Sequence, residues 1–209
     1  MSAEPLHAPE ALHATEVLPL TGPVPVAEAL PTADTRPTTE TLPTETRTVL
    51  RTLRVAADDP LAAPLLADLE REYDSRYGLE FKGEPASVEI NRYPPDAFAP
   101  PHGAFIVLLD GEDPISGGAF MRYDDHTAEF KRVWTHPDHR GRGLAGQVLV
   151  ALEHEAVEAG YDRVYLTTGP KQPEAVALYL KNGYTPLFDP QGPQPPRGKR
   201  PFVKILSRA

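Results

Sequence analysis

Proline decides where this chain can build regular structure. Eight of its 25 prolines fall within residues 1–46, at Pro5, Pro9, Pro19, Pro23, Pro25, Pro31, Pro37 and Pro43. Each removes a backbone donor and fixes φ, so neither a helix nor a ladder runs through such a stretch. Thr, Ala and Glu fill most of the remainder, with no apolar period to bury. Residues 1–46 therefore read as a disordered or polyproline-like leader, and residues 47–208 as one folded domain. The leader's seven acids against Arg36 carry −6 of the net charge of −9, which leaves −3 for the rest.

Beyond the leader, apolar runs alternate with turn clusters. Thr48–Val55 reads as a strand. Asp58-Asp59-Pro60 then reads as the cap of a helix that carries Leu61, Leu65, Leu66, Leu69 and Tyr73 as far as Gly78. A short segment spans Glu84–Asn91, and the prolines between Tyr93 and Gly103 predict an irregular loop. Ala104–Asp110, Ile115–Tyr123 and Thr127–Thr135 predict an antiparallel meander. The period then changes. Leu144, Val148, Leu152 and Ala156 mark a helix ending at Gly160, followed by a strand at Arg163–Thr168 and a helix at Pro173–Asn182. Tyr184–Phe188 and Pro201–Leu206 close the pattern, which is that of one mixed-sheet α/β domain.

Composition removes several functions. With no Cys there is no disulfide, thiolate zinc site or Cys nucleophile. The acidic balance disfavours a duplex nucleic-acid binder. No run approaches the ~20 apolar residues that span a bilayer, and the N-terminal acids Glu4, Glu10 and Glu16 are unlike a secretory signal. The expectation is a soluble, cytoplasmic protein without membrane or nucleic-acid partners.

The most informative stretch runs from Glu129 to Ala145, where a strand feeds a glycine-bearing turn that opens a helix. Helix N-termini offer unpaired N–H groups and partial positive charge. Gly141 and Gly143 allow close backbone approach, and Arg140 and Arg142 add charge, so the junction reads as a diphosphate cradle. Gly141-x-Gly143-x-x-Gly146 also fits a dinucleotide fingerprint. That pattern calls for an acid at the end of the next strand, where this chain has Leu166-Thr167-Thr168-Gly169.

Arg140-x-x-Gly143-x-Ala145, with the later Gln172-Pro-Glu-Ala-Val-Ala-Leu-Tyr179 and Asn182-Gly183-Tyr184, resembles the GNAT superfamily of N-acetyltransferases across about residues 48–206. The resemblance implies a mixed, mostly antiparallel sheet of about six to seven strands, flanked by about four helices and split at the acyl-CoA site. It implies acetyl-CoA as co-substrate, no metal, and direct attack by a primary amine in a ternary complex. Val133, Trp134 and Thr135 would pair with the pantetheine. Arg140, Gly141, Arg142, Gly143, Leu144 and Ala145 would hold the pyrophosphate, with Lys171 as an outer charge. Tyr179 stands at the family's general-acid position, and Glu129 or ordered water is the base. Gln172 replaces the usual Asn that orients the pantetheine.

Plainer readings stand beside these. Tyr179 is also a core aromatic at helical spacing, Glu129 a strand residue paired with Lys131, and His136-x-x-His139 lacks a third metal ligand. His126 is a weaker base candidate. Tyr73, Tyr77, Phe81, Tyr93 and Phe98, with Glu70, Glu72 and Glu80, are candidates for lining the acceptor site. The alternatives to an acetyltransferase are a non-catalytic acyl-CoA-binding module and, less favoured, an NAD-dependent oxidoreductase. A homodimer is left open, as is the identity of the acceptor amine.

Overall fold

Alternation in the middle of the chain produces long strands that pair with their sequence neighbours. A computed structural model of the chain describes residues 49–78, 85–193 and 198–207. The leader, Glu80 and Phe81 lie outside these residues. Strand β1 (Arg51–Val55) pairs with β2 (Ala104–Asp110), β2 with β3 (Asp113–Arg122) and β3 with β4 (Thr127–Thr135), all antiparallel. Strand β5 (Arg163–Thr168) lies parallel to β4, and β7 (Arg200–Ile205) runs antiparallel between β5 and the two-residue β6 (Thr185–Pro186). The sheet order is β1-β2-β3-β4-β5-β7-β6.

Four helices cover the sheet. On one face α3 (Leu144–Glu158) buries Leu144, Val148, Leu149, Leu152 and Ala156, and α4 (Pro173–Lys181) adds Tyr179 to the same core cluster. On the other, α1 (Ala63–Tyr77) buries Leu65 and Leu69 with Ile90 of α2 (Ala86–Ile90), Phe98 and Trp134. Among the described residues no helix is long and apolar enough to cross a membrane.

The structure adjusts three boundaries. Helix α1 starts at Ala63, later than the Asp58-Asp59-Pro60 signal, because Asp59 caps an earlier turn. Its carboxylate accepts from the Leu61 amide at 2.8 Å, and Ala62 becomes the N-cap without a side-chain bond. The 93–103 loop holds a 3-10 turn at Pro95–Phe98, where proline sits in the first turn and needs no donor. The strand expected at Tyr184–Phe188 shrinks to Thr185–Pro186: the Leu187 amide still donates to the Pro201 carbonyl at 2.9 Å, but Pro201 has no N–H to return the bond.

Two irregularities position the site. The β4–β5 register runs from Thr127–Arg163 to Phe130–Leu166 and stops there, although both strands continue. The sheet opens at that point. Next to the opening the β3–β4 register slips between Ala119–Lys131 and Gly117–Trp134, so Arg132 and Val133 together oppose Gly118. Arg132 takes a positive φ of 58°, as a bulged residue can. The extra residue reverses the side-chain parity. Phe130 packs in the α3-side core, while Trp134, four residues on, packs in the α1-side core.

Candidate active site

The turn after β4 delivers α3 N-terminus first to the opened gap. Gly141 and Gly143 have φ of 76° and 78°, a conformation that L side chains rarely adopt. Gly143 is the N-cap of α3, which carries no side-chain cap and no acid in its first turn. The first-turn amides are therefore left to an incoming acceptor. A Cβ at either glycine would meet no atom within 4 Å, so the space ahead of the cradle is open.

A cleft of about 370 Å³ runs from this cradle between β4 and α4, with Val133, Thr135, Gly143, Ala145, Gln172 and Tyr179 among its walls. Strand geometry sorts the three β4 residues expected to meet the pantetheine. The Trp134 carbonyl accepts from Ser116 Oγ at 2.6 Å, and the His136 amide donates to Ile115 at 2.9 Å, both on β3. Backbone groups alternate sides along a strand, so those of Val133 and Thr135 turn to the gap. The Thr135 carbonyl accepts from Arg140 Nε at 3.1 Å. Trp134 thus contributes its buried indole to the wall, while Val133 keeps both of its backbone groups on the open side.

Tyr179 reaches the cleft from α4 and is 8% exposed, its ring 5.6 Å from Tyr184 and 5.4 Å from Phe202. Burial raises its phenol well above the usual range, with a further push from Tyr73. It stays protonated at neutral pH, as a proton donor must. Tyr73, on α1, is pushed up to about 12, first by burial and then by Glu72 and Glu89. Two neutral phenols thus approach the gap from opposite faces of the sheet.

Gln172 lies between them. Its Oε1 accepts from Thr168 Oγ1 and from the Gly169 amide, each at 2.9 Å, and its side chain also hydrogen-bonds to Tyr73. It borders both the cleft beside the cradle and a second cleft on the α1 side. The second cleft, about 100 Å³, is walled by Tyr73, Tyr77, Ala86, Lys131, Thr168 and Gln172. Through these bonds Gln172 joins the β5–α4 turn to α1.

Other expected residues lie elsewhere. Glu129 is buried, accepts from Lys131 Nζ at 2.8 Å and borders neither cleft. His126 pairs with Asp162 at 3.6 Å in a remote turn. Lys171 stands 5.7 Å over the Tyr77 ring and does not border the first cleft. His136 and His139 have rings 5.6 Å apart, and among the described residues no group of three His or acidic residues is placed to hold a metal ion. Arg142 contacts His139 Nδ1 at 2.7 Å.

Arg140 is held by a partner that spacing gave no sign of. Its guanidinium bonds Glu72 Oε2 of α1 at 2.7 Å, across the first cleft, which both residues border. Arg76 extends the strap by bonding Glu72 at 2.9 Å and by pairing with Glu174 of α4. A pyrophosphate drawing on Arg140 competes with Glu72. Glu72→Gln is therefore expected to tighten coenzyme A binding about threefold, the scale of a half-exposed pair. Titration calorimetry reads the effect. Weaker binding would mean that Glu72 serves to hold Arg140 in place.

The Acetyltransferase (GNAT) family profile matches residues 65–184, from the buried part of α1 to Tyr184. This chain belongs to the GNAT family. The uncharacterized N-acetyltransferase YjcF of Bacillus subtilis (strain 168) is 33% identical over 84 residues, 40% of this chain. That stretch spans little more than half of YjcF, 57% of its length. A Klebsiella pneumoniae subsp. pneumoniae structure, solved as a candidate acyl-CoA N-acyltransferase, is 25% identical with a TM-score of 0.57 over 77% of this chain and 99% of its own. A GNAT acetyltransferase from Elizabethkingia anophelis, solved with acetyl-CoA bound, shares the fold at a TM-score of 0.52 and 15% identity, over 75% of this chain and 98% of its own. The GNAT fold disposes of the dinucleotide reading. Among the described strands only β4 and β5 pair in parallel, and Gly146 serves helix packing, since a Cβ there would lie 3.3 Å from Asn182 Oδ1.

Proposed function

We propose that this GNAT protein transfers an acetyl group from acetyl-CoA to a primary amine by direct attack. One observation carries the reading: the gap that opens beyond Phe130–Leu166 has the uncapped α3 N-terminus at one end and a neutral, buried tyrosine on its wall. The pyrophosphate sits on the amides from Arg140 to Ala145, and pantetheine pairs with Val133 and Thr135. The amine nitrogen attacks the thioester carbonyl carbon. The N–H of Val133 is the backbone donor nearest to hand for the tetrahedral oxyanion. Collapse breaks the C–S bond, and the leaving thiolate takes its proton from the Tyr179 hydroxyl. The proton lost by the amine leaves through water toward Glu129, which borders neither cleft.

Mass action tests the binding half. Acetyl-CoA at about 100 times its Kd should add roughly 2.7 kcal/mol of stability, visible as a rise in Tm, while NAD should add nothing. No rise with acetyl-CoA would refute the proposal. Thiol release on adding an amine then separates an enzyme from a non-catalytic acyl-CoA binder.

A further inference from the structure

We infer that the acceptor amine also carries a carboxylate, held in the second cleft by Lys131 and Lys199. The inference rests on the acetyl-transfer reading, because it takes the cleft beyond Gln172 as the acceptor's place. Its argument is the charge inventory of that cleft. Among the described residues three ionic side chains border it, Glu89, Lys131 and Lys199. Glu89 is engaged, accepting from Arg92 Nε at 3.0 Å. The nearby carboxylate of Glu129 is engaged by Lys131 itself.

The cations are less committed. Lys131 Nζ gives one bond to Glu129 and stands 4.7 Å over the Tyr93 ring, so an ammonium with three donors retains capacity for a ligand. Lys199 is exposed at the rim and makes no ion pair among the described residues. A ligand with a second ammonium would meet like charge from Lys131 and Lys199, and the one carboxylate that borders the cleft among the described residues is already engaged. A carboxylate would find two donors. The aromatic walls of Tyr73 and Tyr77 and the volume of about 100 Å³ suit a small acceptor, such as an amino acid.

The test is a thiol-release assay of the full chain with acetyl-CoA and matched acceptors: several amino acids, the amide of each, and linear diamines. The acids should exceed their own amides about tenfold in kcat/KM, the scale of one charge-assisted contact. Lys199→Glu should raise KM for the acids and leave both KM for the amides and the acetyl-CoA shift in Tm unchanged. Lys199→Arg should retain the preference. Amides or diamines turned over as well as the acids, turnover of no acid at all, or an unaltered KM in Lys199→Glu would overturn the inference. A missing Tm shift with acetyl-CoA would instead overturn the acetyl-transfer reading beneath it.

Discussion

Replacing Gly143 by glutamate is expected to abolish the rise in Tm with acetyl-CoA. Three effects add at that position. The residue is the N-cap of α3 with φ of 78°, so any side chain strains the backbone by roughly 1–2 kcal/mol. Its Cβ would project into the open space ahead of the cradle, where nothing lies within 4 Å. A carboxylate there also places negative charge where the pyrophosphate must sit. Gly143→Ala separates these causes. It should lose stability by about the strain alone and keep measurable affinity, because a methyl group leaves the amides reachable. Retained affinity in the glutamate variant would place the pyrophosphate elsewhere.

The second large effect concerns Tyr179. Tyr179→Phe keeps the ring against Tyr184 and Phe202 and removes only the proton donor. We expect kcat to fall about a hundredfold, with affinity for acetyl-CoA little changed. The pH profile gives a separate check. Burial raises the phenol, so the acid form is present at neutral pH and persists as pH rises. The rate should therefore climb with pH as the acceptor amine loses its proton, without a fall near neutrality from Tyr179. An unchanged kcat in the phenylalanine variant, or an alkaline limb near neutral pH in the parent, would remove Tyr179 from the acid role. Loss of acetyl-CoA affinity in the same variant would mean the hydroxyl binds rather than reacts.

Local signals made much of the architecture legible. The meander, α3, β5 and α4 stand within a residue or two of where alternation, helical spacing and Gly160 or Gly183 put them. Such elements are written by neighbours in sequence, so their period survives whatever packs on them. The motif turn was legible for the same reason. Its glycines and arginines lie within six residues, and the helix they open follows directly. The start of α1 was misjudged because Asp59 is a good cap for either a helix or a turn, and the local code does not rank the two.

The site's charges were harder to read. Arg140 looked free for phosphate, yet its partner Glu72 lies 68 residues upstream. Glu129 matched a base position by spacing but faces the α1 side, bonded to Lys131. Tyr73 was one of five aromatics offered for the acceptor site, and only the crossing of α1 over the sheet brings it to Gln172 and Tyr179. Each pairing depends on the path of α1 over the sheet, which no local period specifies.

By itself the sequence determined the order of strands and helices and the glycine turn that exposes the α3 N-terminus. These follow from proline placement, side-chain period and the φ that only glycine adopts freely. The tertiary structure decided which groups face one another in the gap. The bulge at Arg132 turned Trp134 to the α1 side, and the end of pairing at Phe130–Leu166 opened the sheet. Both depend on how two strands align across space, and a shift of one residue there exchanges every inward side chain for an outward one.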